Sequence, residues 1–421
     1  MTMAPAVLDG RPARRAQVVR VQRRQLPAYS PLPLGVVRDT ARRVFGSRED
    51  VRPHVREMLR ALYAAEGVVL MGAGTQALQV AIHTASRLVG GPLTVALPAF
   101  TCFDVASAAV AAGARITLYD VDPATLAPDL DSLTLTLSEG TRIVVAAPLY
   151  GIPIEWEALE ACTAAFGAVI IEDAAQGHGA LWRNRPLGSL GQLSVLSFGR
   201  GKGWTGAAGG ALLLRRGSHQ RDPDGDKGAP LREPGPLTEC RVLLRAAVQS
   251  MFAHPSLYSL PAALPWLHLG ETRYHDPEAP ACMTRTAAAL LESTRKIAAR
   301  EAITRRANAE FLLERLPSHG PVLRIRAAAA GMPGYLRLPV RTRRGLGGFG
   351  SPVEALRRGI IRSYPSTLAA LPSVRERLVS ITRRWPGAED LVRHLVTLPT
   401  HSLLDAEDRD ALARLLEFYG N

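Results

Sequence analysis

The chain has 421 residues, 47% hydrophobic and 21% charged, a balance ordinary for a globular protein and long enough for two or three packing units. Its 51 Lys+Arg against 38 Asp+Glu give a formal charge of +13, but the arginines are spread over the whole length without aromatic interleaving, so nucleic-acid binding is not expected. No window approaches the ~18 unbroken apolar residues of a spanning helix. Cys102, Cys162, Cys240 and Cys282 lie far apart with no C-x-x-C, so neither a metal site nor a disulfide framework is expected and a reducing cytoplasm fits best.

Residues 1–35 read as an arginine-rich arm, with Arg11, Arg14, Arg15, Arg20, Arg23 and Arg24 ahead of Pro27, Pro31 and Pro33. The apolar patch at 4–8 is too short, and too closely followed by arginines, for a secretory signal. Helical spacing runs over 38–65, with Val51, Val55, Met58, Leu59 and Leu62 on one face. The apolar run 68–71 and a glycine turn at 72–75 precede a helix over 76–89. Strands at 93–97, 116–120, 143–147, 168–172, 193–198 and 210–214 then alternate with helices at 104–112 and 155–166. Continuous apolar strands separated by helices mark a mostly parallel sheet covered on both faces. Residues 36–270 are therefore expected to form a large α/β domain, interrupted by an exposed loop at 216–238. Residues 241–254 form a basic amphipathic helix, readable as a membrane or partner contact but preferred as an ordinary packed helix. Residues 271–421 are expected to form a smaller α+β domain, with a long helix over 284–316, strands at 322–325 and 335–340, and a closing helix from Asp405 with an acidic first turn.

Three features bear on chemistry. The turn Gly72-Ala-Gly74-Thr75 lies between a strand and a helix, where free backbone N–H groups can hold an anion. It partly matches a dinucleotide fingerprint, but nothing acidic occurs between Glu66 and Asp104 to bind a ribose, so a single phosphate cradle is expected instead. Asp173 follows an apolar strand at its C-terminal end, where α/β sheets place their ligands, although an Asp there also serves as a helix cap. Lys202 is one of only three lysines, with Lys227 and Lys296, and is flanked by Gly201 and Gly203. Lysine forms Schiff bases and arginine does not, although a lysine set among Gly199, Gly201 and Gly203 also reads as an ordinary surface residue in a turn. A cradle, a strand-end acid and a strand-end lysine, in that order along one sheet, suit pyridoxal 5'-phosphate.

The residues at this point resemble a known family. Gly74-Thr75-x-Ala77-Leu78, Pro98-Ala-Phe-Thr101, Asp120-Val-Asp122, Leu149-Tyr-Gly151, Glu172-Asp-Ala-Ala-Gln176-x-His178-Gly, Gly188-Ser-x-Gly191 and Ser197-Phe-x-x-x-Lys202 are similar to the DegT/DnrJ/EryC1/StrS aminotransferases. The likeness is strongest over 67–214, and Trp385-Pro-Gly-Ala-Glu389 and Leu398-Pro-Thr-His401 resemble the family's closing segment. It implies a fold-type I pyridoxal-phosphate-dependent transferase, with a seven-stranded type of large-domain sheet, working as a homodimer. By resemblance Lys202 would carry the cofactor aldehyde, Asp173 would pair with its ring nitrogen, and Gln176 would sit close to the ring. Gly74, Thr75 and Ser197 would hold the phosphate. Cys102 stands where relatives place an aromatic that stacks on the ring; either Cys102 or Phe103 should cover it, and Phe103 is expected to. Pro280-Ala-Cys-Met283 stands in place of the family's Asn-Tyr-Arg-Met, so the Asn that reaches a partner's phosphate is missing. The implied activity is amino transfer, from glutamate, to a nucleotide-linked keto sugar for a polysaccharide or glycoconjugate. The alternatives are a cyclitol or other non-nucleotide ketone as substrate, or a non-catalytic regulatory or scaffold protein of the same fold.

Overall fold

A computed structural model describes residues 24–215, 231–253, 255, 273–276, 278–380 and 383–420. The helical spacing at 38–65 resolves into two helices, α1 (Leu34–Ala41) and α2 (Arg52–Leu62), separated by a π turn at Arg42–Gly46 and by Arg48 in a left-handed conformation. Pro53 opens α2, as its missing N–H allows.

The large sheet is built from β1 (Gly67–Met71), β2 (Thr94–Pro98), β3 (Arg115–Tyr119), β4 (Ile143–Ala146) and β5 (Val169–Asp173). Short strands β6 (Leu181–Trp182) and β7 (Arg185–Pro186) form a hairpin, and β8 (Leu193–Ser197) and β9 (Gly210–Leu214) return to the sheet. Its order is β1-β9-β8-β5-β4-β2-β3, parallel from β8 to β3, with β9 antiparallel to both neighbours. Every residue of β4 and β9 is buried, which explains their unbroken apolar runs: both faces are covered. Helices α3 (Gly74–Val89), α4 (Phe103–Ala111), α5 (Leu130–Ser138) and α6 (Trp156–Ala164) lie between these strands. The helix α5 was not legible beforehand, because Leu133-Thr-Leu-Thr-Leu137 alternates like a strand; Asp129 starts it by accepting from the Ser132 N–H at 2.9 Å.

The expected exposed loop at 216–238 ends by residue 235. Residues 216–230 lie outside the described residues, and helix α7 (Pro236–Met251) begins five residues before the basic stretch, with proline in its first turn. Glu239 of α7 is buried and accepts from the N–H groups of Arg285 and Thr286, both at 2.9 Å, at the start of the 29-residue helix α8 (Arg285–Leu313). A carboxylate there meets the positive end of the helix dipole. The first half of α8 belongs to the core of the large unit, where Trp204 donates to the Leu291 carbonyl at 2.9 Å. Ala309 and Leu312 belong to the core of the smaller one. One continuous helix thus contributes to both clusters.

Beyond α8 come β10 (Val322–Arg324), β11 (Gly331–Met332), β12 (Leu338–Thr342), α9 (Pro352–Arg357), β13 (Ile361–Arg362), α10 (Pro372–Arg375), α11 (Pro386–His394), β14 (Leu395–Leu398) and α12 (Ala406–Gly420). Strands β10-β12-β14-β13 form an antiparallel sheet, and β11 pairs back to β6. Buried Asp120, at the end of β3, accepts from the N–H groups of Gly387 and Ala388 at 2.8 Å each, tying α11 to the large sheet. A Cβ at Gly387 would lie 2.1 Å from the Val121 carbonyl, so only glycine permits that approach. Residues 1–23 of the arm lie outside the described residues. The remainder is docked: His401 Nε2 bonds the Leu26 carbonyl at 2.8 Å, and Ser30 donates to the carbonyl of Lys202.

Candidate active site

Asp173 closes β5, Ser197 closes β8, and α3 starts just beyond β1, so three chain segments meet at one edge of the sheet. The register makes the meeting close. Ser197 and Met71 both face Gly210 across β9. A Cβ on Gly210 would sit 2.5 Å from the Gly74 nitrogen, and one on Gly74 would sit 2.7 Å from Ser197 Cβ. Backbone therefore packs on backbone, bringing the first turn of α3 against the Ser197 side chain. The preceding residue, Ala73, supplies no side-chain cap, so the first-turn N–H groups are left for another acceptor.

These groups line one cavity together with Thr75, Thr101, Cys102, Asp104, Gln176 and Lys202. Of the residues expected at the site, Gly74, Thr75, Cys102, Asp173, Gln176, Ser197 and Lys202 are all on its wall. Phe103 is not. It is 3% exposed and packs in the core with its ring 6.4 Å from that of Tyr364, so of the two residues expected to cover a ring only Cys102 lies on the cavity wall. The reason is local: Phe103 is the first residue of α4, and its side chain turns into the apolar layer beneath the sheet, whereas Cys102 precedes the helix in extended backbone.

Asp173 accepts from the Ala175 N–H at 3.1 Å, and burial pushes its carboxyl above the usual range against the opposing pull of Lys202. A carboxylate in such surroundings gains from a cationic partner. Burial, then Asp104, pushes the Cys102 thiol up to about 12, so it stays neutral. Thr101 is 1% exposed and its hydroxyl has no partner among the described residues. Gln176 is held at both ends: its Oε1 accepts from the Tyr150 N–H at 2.8 Å and its Nε2 donates to the Tyr364 hydroxyl at 2.9 Å. Lys202 sits in a turn whose next residue admits no side chain, since a Cβ on Gly203 would lie 2.8 Å from His178 Cβ and 3.0 Å from Arg305 Nη2.

The model of the DegT/DnrJ/EryC1/StrS aminotransferase family matches residues 52–221. That segment holds the cradle, Asp173 and Lys202. The chain carries the DegT/DnrJ/EryC1/StrS segment and fold. Over 173 residues, 41% of this chain, it is 30% identical to 3-amino-5-hydroxybenzoate synthase of Amycolatopsis mediterranei, covering 44% of that protein. Over 187 residues, 42% of this chain, it is 32% identical to L-glutamine:2-deoxy-scyllo-inosose aminotransferase of Streptoalloteichus tenebrarius, again covering 44% of the relative. The chain thus spans less than half the length of these curated relatives. The crystal structure of AtS13 from Actinomadura melliaura superposes with a TM-score of 0.71 over 95% of this chain and all of that one, at 23% identity, which shows the fold.

DegT/DnrJ/EryC1/StrS aminotransferases depend on pyridoxal phosphate, and the residues present fit that group. The glycine-tight helix start with Ser197 suits a phosphate, Asp173 suits a protonated ring nitrogen, and Lys202 suits the aldehyde. Several family signatures prove to be structural. Glu172 is fully buried and accepts from the N–H groups of Gly188, Leu190 and Gly191 and from the Ser194 hydroxyl, pinning the 188–191 turn beneath the site. His178 lies beside Trp204, 5.5 Å between ring centres, off the cavity wall. Residue reading missed Thr101, Asp104, Tyr150 and Tyr364. Thr101 and Asp104 flank Cys102 and could have been found by taking that turn as a unit. Tyr364 is 188 positions from Gln176, and no local pattern joins them.

Proposed function

We propose that the protein is a pyridoxal-phosphate-dependent aminotransferase that places an amino group on the ring ketone of a polyhydroxylated substrate. The observation that carries this reading is the convergence of Lys202, Asp173 and the Gly74–Ser197 cradle on one cavity. When bound, the cofactor supplies an aldehyde that holds an amine and a protonated ring that withdraws electrons from the carbon attached to it. The first turn of α3 and Ser197 bind and orient the phosphate. Asp173 would hold a proton on the ring nitrogen, and that cation would offset the cost of burying its carboxylate. Lys202 Nζ would hold the cofactor aldehyde and would serve as the base that moves a proton at the substrate carbon. Gln176, fixed by Tyr150 and Tyr364, keeps one face of the site rigid, and Leu78, Val105 and Leu149 limit water.

The amine donor is glutamate or its amide, and the acceptor a nucleotide-linked keto sugar, as the motif resemblance suggests. A second reading, a free cyclitol ketone with glutamine as donor, is favoured by the name of the 2-deoxy-scyllo-inosose aminotransferase matched over the site segment. A homodimer in the cytoplasm completes the proposal. The purified protein should be coloured, should lose that colour on adding the donor, and should retain cofactor on Lys202 after borohydride. A keto-sugar nucleotide and a free inosose, each offered to the amine-loaded protein, separate the two substrates. A protein that takes up no cofactor ends the reading.

A further inference from the structure

Helix α7 packs inward against α1 and α8 through Glu239, Val242 and Ala246, yet it is apolar on its outer side as well. Leu237 is 76% exposed, Leu244 64%, Val248 45% and Met251 52%. At about 100° per residue these four fall on one side of the helix, and Arg241 and Arg245 complete an arc of about 120° with them. Both arginines are exposed and form no ion pair or hydrogen bond among the described residues. The only carboxylate of α7, Glu239, points the other way, into the start of α8. The outer face therefore joins large apolar side chains to uncompensated positive charge, over a helix about 24 Å long.

We infer that the outer face of α7 docks the protein on an anionic lipid surface. Leu237, Leu244, Val248 and Met251 enter the boundary between headgroups and acyl chains, and Arg241 and Arg245 meet lipid phosphates beside them. Charge complementarity selects this occupant. An apolar partner surface would leave two guanidinium groups desolvated and unpaired, whereas a bilayer with acidic headgroups satisfies them at the depth the apolar side chains set. The preference for an ordinary packed helix, reasonable from sequence, holds for the inner face alone. This surface is independent of the cavity chemistry.

The test uses the full chain and extruded vesicles, of phosphatidylcholine alone or with 30 mol% phosphatidylglycerol, read by co-sedimentation. Wild type should sediment with the anionic vesicles at least tenfold more than with the neutral ones, and raising salt from about 0.1 M to 0.5 M should weaken binding severalfold. The double variant L244E/V248E should lose binding at least tenfold, and R241E/R245E should abolish the preference for phosphatidylglycerol. All four positions are exposed, so far-ultraviolet circular dichroism should be unchanged. Equal sedimentation with both vesicle types, or binding untouched by L244E/V248E, overturns the inference. So does a wild type that ignores vesicles while L244E/V248E lowers its mass in light scattering, an outcome that assigns the face to a second copy of the chain.

Discussion

Lys202→Ala removes the one side-chain amine that lines the cavity among the described residues. The variant should fail to retain reduced cofactor after borohydride, and amino transfer should fall by at least 10²–10⁴-fold, the usual contribution of a positioned proton-transfer group. Tyr364→Phe is a finer probe, because it deletes only the hydroxyl that accepts from Gln176 Nε2. The ring remains wedged edge-on against Phe100, 5.3 Å between centres, so folding should change by only about 1 kcal/mol. The freed Gln176 should instead shift the visible absorption of the bound cofactor and lower kcat with KM nearly constant. An unchanged spectrum and kcat would show that the clamp on Gln176 has no bearing on the reaction. Gly210→Ala belongs here too: with 2.5 Å between its Cβ and the Gly74 nitrogen, the start of α3 must move. Cofactor affinity, measured by equilibrium dialysis, should fall before the fold does.

At the scale of elements, the arm segment that follows residue 23 is held to α12 and its approach by His401. Burial lowers this imidazole to about 4, so it is neutral in the folded protein and bonds the Leu26 carbonyl. The unfolded chain takes up that proton near pH 6.5. Stability from this group is therefore complete above about pH 6.5 and declines as pH falls toward 4, by about 1.4 kcal/mol per pH unit. Stability from urea unfolding between pH 7 and 4.5 should fall with pH, and His401→Gln should reduce the slope by about 1.4 kcal/mol per pH unit while His178, also lowered by burial, keeps its own share. Elements also differ in how far they can be read. The strands β4, β5, β8 and β9 are continuous apolar runs and were placed within a residue or two. The helix α5 and the hairpin β6–β7 were missed, the first because its threonines and leucines alternate, the second because two-residue strands carry no periodicity.

Across the whole molecule, one apolar cluster joins the large sheet to Trp385, Ala388, Leu391 and Leu395, and polar contacts fasten it at its edge. Asp120 holds the N-terminus of α11, Trp385 donates to the Leu118 carbonyl at 3.1 Å, and α8 enters both cores. Asp120→Ala leaves two N–H groups at the start of α11 unpaired and should cost about 1–3 kcal/mol. Unfolding followed by tryptophan fluorescence and by circular dichroism should coincide in wild type and separate in the variant, since Trp385 lies at that junction. Coincident curves in Asp120→Ala would mean that the remaining contacts, α8 and the shared apolar cluster among them, couple the units without Asp120.

The local alphabet of this chain determined a great deal by itself. Unbroken apolar runs require strands buried on both sides, the Gly72–Thr75 turn between a strand and a helix offers free N–H groups, and a lysine in glycines at a strand end, taken with that turn and Asp173, points to a cofactor aldehyde. Those are properties of short stretches, fixed by side-chain hydration and backbone sterics within ten or twenty residues. What the tertiary structure decided depends on distance in space. Only the fold puts the Tyr364 hydroxyl 2.9 Å from Gln176, turns Phe103 into the core and Cys102 to the cavity, and leaves the outer face of α7 uncovered. Residues far apart in the chain meet because sheet register and helix packing bring them together, and no pattern along the sequence records which way a side chain will face once they do.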